Sequence, residues 1–149
     1  MKAELTALAA LPREERRILR RAWLSLLLAD AALRWSPLPN VQRFLAGGLH
    51  RGLLRTGAAL EPSRLARLVD IAARHHIRPM GCLHRSLVLQ ALLRERGVAT
   101  DLRIGVRKDA SALQAHAWLE QAGKPFCERQ EIEADFSPLG RPDEVRCPS

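Results

Sequence analysis

The sequence predicts an α+β fold in which a helical N-terminal part leads into one central helix, followed by a small antiparallel sheet. Three observations carry this. The run from Gly81 to Gly97 places Leu83, Leu87, Leu89, Ala91, Leu92 and Leu93 in nearly every direction of a helical projection at about 100° per residue, as in a helix buried on most sides. Ahead of it, segments bounded by proline repeat apolar residues at helical spacing. After Gly97 the period drops to two, with Leu102, Ile104 and Val106 alternating with Asp101, Arg103, Gly105 and Arg107.

In chain order, Met1-Lys2-Ala3-Glu4 puts an acid where a secretory apolar region should begin, so no signal peptide is expected. Pro12 opens the first helix, Glu14 and Glu15 complement its positive end, and Ser36-Pro37-Leu38-Pro39 ends it after about Trp35. Its most apolar stretch, Ala22 to Leu33, is about half a membrane span and contains Asp30, so it reads as a core helix. Arg13, Arg16, Arg17, Arg20 and Arg21 read as its solvated face rather than as a membrane contact. A second helical piece is expected from Asn40 to about Arg55, weakened by Gly47-Gly48 and Gly52. The third opens at Pro62-Ser63, repeats Leu65, Leu68, Val69 and Ala72, and closes before Pro79. His75-His76 falls at its end, where cationic imidazole complements the dipole. Adjacent helical residues diverge by about 100°, which makes this a poor metal pair. His50 reads as solvated.

Pro79 and Gly81 interrupt regular structure just before the central helix, and Gly97 supplies the left-handed residue that ends it. Cys82 therefore falls in the first turn, where unpaired N–H groups and the positive end of the macrodipole stabilise a thiolate. On this helix alone, a small buried core cysteine is an equal alternative.

Beyond the first strand, a loop is expected over Lys108-Asp109-Ala110-Ser111, then a strand from Gln114 to Glu120, a turn at Gln121-Ala122-Gly123, and a third strand from Lys124 to Glu128. A three-residue turn with Gly123 in the left-handed bulge position pairs residues whose numbers sum to 244, setting His116 opposite Glu128 and Trp118 beside Phe126. A two-residue turn on Ala122-Gly123 gives 245 and turns Glu128 to the other face. The first is preferred because glycine comes third. Pro125 cannot donate to a ladder and marks an edge. The tail Phe136 to Pro142 reads as irregular, docking through Phe136 and Leu139.

The 149 residues suit one domain that buries roughly two thirds of its unfolded surface. The net charge of +8 is dispersed as arginine along the whole chain, without a lysine block or a glycine-aromatic pattern. Solubility and solvated helix faces account for it ahead of an acidic partner such as nucleic acid, anionic lipid or acidic peptide. Cys82, Cys127 and Cys147 are odd in number and lack metal-knuckle spacing, which points to a reducing cytoplasm without disulfides. Cys127 reads as buried.

If the sheet lies against the start of the central helix, His116 can take the proton of Cys82 while Glu128 holds the other imidazole nitrogen. The Cys82 backbone N–H then faces the oxyanion of an attacked carbonyl. Asp109, Glu120 and Asp135 are alternative acids, with Glu120 the weakest as the end of a solvated hairpin. His84 and Trp118 are candidate substrate-cleft residues, Trp118 also suiting a plain core position. Metal binding by Cys82, His84, His116 and Cys127 is a minor alternative; no metal or cofactor is expected.

The stretches Cys82-Leu83-His84-Arg85-Ser86-Leu87-Val88-Leu89, Leu92-Leu93-Arg94-Glu95-Arg96-Gly97-Val98, Ile104-Gly105-Val106 and Ala115-His116-Ala117-Trp118-Leu119-Glu120 with Gly123 resemble, in order and spacing, the transglutaminase-like leader peptidases of lasso-peptide biosynthesis. The resemblance covers about residues 78–128. It implies a transglutaminase-like or papain-like core with a Cys-His-Asp triad, in which Cys82 matches the nucleophile, His116 the base, and Glu128 stands where the family has Asp. It implies removal of the leader from a ribosomally made precursor so that a separate ATP-dependent cyclase can close the ring. The segment before Cys82 reads as helices rather than as the winged-helix recognition domain of fused members. The chain therefore resembles the standalone form, which depends on a separate PqqD-like recognition protein. The expected organisation is a helical part at 1–78, a catalytic core at 79–128 and an irregular tail at 129–149. Another acyl transfer on the same triad, and a non-catalytic module binding a peptide or acidic partner, are the alternatives.

Overall fold

A computed structural model describes residues 10–47, 60–108, 112–126 and 137–138. Within them, four helices precede a four-stranded antiparallel sheet: α1 (Arg13–Trp35), α2 (Leu38–Gly47), α3 (Pro62–Arg74), α4 (Cys82–Arg94), β1 (Asp101–Lys108), β2 (Leu113–Gln121), β3 (Lys124–Pro125) and β4 (Ser137–Pro138). The sheet order is β3-β2-β1-β4.

The helices begin and end where proline and glycine dictate. Pro12 and Glu61 precede α1 and α3, with Pro62 in the first turn of α3, where no N–H is needed. α2 starts two residues earlier than expected, with Asn40 and Val41 donating to the Pro37 carbonyl, because Pro39 also fits a first turn. Its expected continuation from Gly48 to Arg55 lies outside the described residues. At the end of α4, Gly97 takes φ +76°, its N–H bonds the Arg94 carbonyl at 3.0 Å and the Val98 N–H bonds Leu93 at 3.1 Å. These are the two bonds of a Schellman motif.

The absence of a single apolar stripe on α4 is explained by its surroundings. Ile18, Ala22, Leu26 and Ala29 of α1, Val41 and Leu45 of α2, Leu65, Leu68 and Val69 of α3, and Leu102, Ala117 and Leu119 of the sheet are buried in one core with Leu87, Val88, Leu92 and Leu93. Polar contacts mark each neighbour around the helix. Arg21 of α1 pairs with Glu95, Asp70 of α3 with Arg85 at 3.3 Å, and Gln42 of α2 donates to Gln90 at 3.1 Å. Ser86 donates to the Ala117 carbonyl of β2 at 3.1 Å. Each leucine so enclosed contributes about 1.5–3 kcal/mol by burial, which makes α4 the element on which the fold depends most.

The hairpin corrects the expected register. Glu120 pairs with Pro125 and Gln121 with Lys124, a sum of 245, across a two-residue turn. Ala122 at φ 51° and Gly123 at φ 76° both take the left-handed conformation of a type I′ turn, whose twist matches the strands. Phe126 therefore faces Leu119, donating to its carbonyl at 2.7 Å, rather than lying beside Trp118. Because that pair is bonded, the next one, Glu120 with Pro125, is not, and Pro125 sits on the edge strand where no donor is required. The tail is also corrected: Ser137 and Pro138 add a fourth strand to β1 opposite Val106 and Gly105. No described helix is long and apolar enough to cross a membrane.

Candidate active site

Cys82 is the first residue of α4, a half-buried free thiol. Gly81 before it is extended, with ψ 179° and no side-chain cap, and its carbonyl takes the first helical bond from Arg85. By helix geometry, the N–H groups of Cys82, Leu83 and His84 have no acceptor inside the helix. The first turn thus presents backbone donors without a side chain closing it.

β2 meets this turn at Ala117. The Leu119/Phe126 bond fixes the edge toward which the odd residues of β2 point, so the N–H and carbonyl of Ala117 face the β3 side. There, Cys82 and Ser86, one turn apart on α4, occupy both groups: the Ala117 N–H donates to Cys82 Sγ at 3.4 Å and Ser86 Oγ donates to the Ala117 carbonyl at 3.1 Å. The thiol consequently lies in the plane of the ladder at the sheet edge, against the amide that follows His116. Ser86 clamps the same residue through its carbonyl, on the same side and one helical turn along. Its role leaves no mark in the sequence beyond its place in the motif.

His116 is half-buried and stands on the sheet face opposite the core, directly across from Gly105, which offers no side chain. Its ring stacks on Trp118 with centroids 6.1 Å apart and planes at 14°. Trp118 is 2% exposed. Its indole N–H donates to Glu120 Oε1 at 3.2 Å, and Arg103 holds Glu120 Oε2 at 2.8 Å. Glu120 is therefore a buried residue with both oxygens engaged, not the solvated end of a hairpin. It orients the indole that stacks on His116.

His84 faces α1, its Nε2 3.5 Å from Asp30 Oδ1, and Arg78 Nε and Arg34 Nη2 reach Asp30 Oδ2 at 3.0 and 3.4 Å. Partial burial pushes the Asp30 carboxyl up, but the Arg34 hydrogen bond and the charges of Arg34, Arg78 and His84 outweigh it and hold it below the usual range. Asp30, read from sequence only as a core-helix residue, thus ties the segment ahead of Cys82 and the first turn of α4 to α1. The signal was present as an acid inside an apolar stretch.

Glu128 lies outside the described residues, as do Cys127, Cys147, Asp109, Asp135 and His50. The expectation that set Glu128 opposite His116 assumed a three-residue turn and a sum of 244, whereas the described hairpin residues pair with a sum of 245. Among the described residues, no group of three or more His, Cys, Asp or Glu side chains could hold a metal.

The arrangement can carry nucleophilic acyl chemistry: a thiol at a helix start, backbone donors beside it, and a histidine on the strand it touches. No curated protein and no solved structure matches the chain. The model of the transglutaminase-like superfamily matches residues 7–141, nearly the whole length, and the chain belongs to that superfamily, which includes cysteine peptidases and cysteine-dependent acyl transferases.

Proposed function

We propose that the chain is a cysteine peptidase that removes the leader from a ribosomally synthesised lasso-peptide precursor. It acts in the cytoplasm with a separate PqqD-like recognition protein and ahead of an ATP-dependent cyclase. The observation that carries the chemistry is the bond from the Ala117 N–H to Cys82 Sγ at 3.4 Å, because it seats the thiol beside the strand residue that bears the imidazole. The sequence motifs around Cys82 and His116 carry the substrate class.

In this reading His116 takes the thiol proton and Cys82 attacks the scissile carbonyl. The oxyanion accepts from the Cys82 N–H at the uncapped helix start. His116 then protonates the departing amine, and a water deprotonated by His116 hydrolyses the thioester. Trp118 shields one face of the imidazole from water. Glu128 is the acid by family position, while Trp118 and Arg103 each engage one oxygen of Glu120.

The test is mass spectrometry of a lasso precursor incubated with the protein and its recognition partner. Two fragments whose masses sum to precursor plus water, absent with Cys82→Ala, are expected. An intact precursor, or cleavage that survives Cys82→Ala, overturns the reading. Transfer of the acyl group to an added amine in preference to water would assign the same site to another acyl transfer.

A further inference from the structure

A cavity of about 250 Å³ lies between α2 and α4, on the same helix as the thiol. Its apolar walls include Leu87 and Ala91, and its polar lining is Gln42, Gln90, Arg43 and Arg94. The amides satisfy one another and the backbone: Gln42 donates to Gln90 and Gln90 donates to the Thr100 carbonyl at 2.9 Å. The arginines are not matched in this way. Among the described residues, Arg43 bonds only the neutral Asn40 amide, Arg94 has no ion pair, and no lining residue is acidic. Two exposed guanidiniums over a small apolar floor complement a carboxylate on a short aliphatic stem. The volume falls below the roughly 300–1,000 Å³ of drug-sized sites, so it suits one or two side chains rather than a cofactor.

Its distance from Cys82 sets what the carboxylate belongs to. Gln90 is about 12 Å from Cys82 along the axis of α4 at about 1.5 Å per residue. An extended peptide covers that length in about four residues at about 3.3 Å each. We propose that this cavity is a specificity subsite that takes a Glu or Asp side chain of a peptide substrate, about four positions from the carbonyl attacked by Cys82. The proposal rests on the peptidase reading for the position of the bond, but not for the binding itself.

The experiment uses the full chain with Cys82→Ala and fluorescent, end-blocked synthetic peptides in which a single Glu is moved stepwise along a neutral sequence. Each is compared by anisotropy with its Gln counterpart. The expected result is one Glu position that binds about tenfold more tightly than Gln, with the preference lost in the Arg43→Gln/Arg94→Gln double variant. Both arginines are exposed, so this variant should keep its fold, and circular dichroism checks that it does. Equal binding of Glu and Gln at every position, no binding of either at millimolar peptide, or a preference that survives the double variant overturns the subsite. Cleavage of the same peptides by the unmodified chain is read separately. A Glu preference in binding without any cleavage leaves the subsite standing, and the peptidase reading is then decided on the precursor with its recognition partner.

Discussion

The two ends of α4 are finished in opposite ways. The last turn is closed by its own backbone and a buried ion pair: Gly97 completes a Schellman motif, and Arg21, 3% exposed, pairs with Glu95. At the first turn Gly81 offers no side-chain cap, and the contacts are made instead by side chains of the candidate site, Cys82 and Ser86 on Ala117 and His84 on Asp30. One end anchors the helix; the other keeps backbone donors available beside a thiol. Substitutions at the first turn should therefore cost chemistry, and those at the last turn should cost stability.

The largest expected effect is at the first turn. Cys82→Ala should lower leader cleavage by roughly 10⁴-fold or more, the scale at which loss of a catalytic nucleophile is felt, with an unchanged circular dichroism spectrum. Progress curves at matched enzyme concentration measure it. At the other end, Arg21→Ala removes a buried guanidinium and its charged hydrogen bond to Glu95 and should destabilise the fold by about 2 kcal/mol, read as a lower urea midpoint. The cleavage rate of the folded fraction should stay unchanged. If that rate falls instead, the two ends are not separable.

Ser86→Ala probes the clamp on Ala117. Losing a buried hydroxyl-to-carbonyl bond costs about 1 kcal/mol in stability, and the account expects kcat to fall while KM holds, because the strand bearing His116 loses its register against the thiol. The smallest effect concerns acid. The Asp30 carboxyl lies below its ordinary value in the folded chain, so its stabilising contribution is present above the unfolded value of about 3.9 and is lost as pH falls through the lower folded value. Asp30→Asn should therefore melt earlier than the parent chain at neutral pH, and the two melting curves should converge in strong acid. A gap that persists there would show that Asp30 acts by shape rather than charge.

Much of the fold was legible because its signals are local. Pro12, Pro62 and Gly97 mark helix ends through properties of single residues, and the change from helical to two-residue period at Leu102 announces the sheet. Cys82 and His116 were legible for a similar reason, each being tied to the start or phase of one element. What escaped depends on distance. Glu120 looked solvated because its partner Arg103 lies on another strand, and only the β1/β2 register brings them together. Asp30 and His84 meet through the packing of α1 on α4, which no period encodes. The hairpin register turned on Ala122 accepting φ 51°, a conformation that alanine itself does not announce. The pairing of Ser137 and Pro138 with β1 joins residues too few to show a strand pattern.

The most direct test of the central claim, that His116 activates Cys82 at the open end of α4, is the alkylation rate of Cys82 across pH, resolved from Cys127 and Cys147 by mass spectrometry, in the parent chain and in His116→Ala. The expected rate stays high well below about 8.5, where free thiols lose reactivity, and collapses there in the variant. Superimposable profiles, both falling as an ordinary thiol's would, would contradict it.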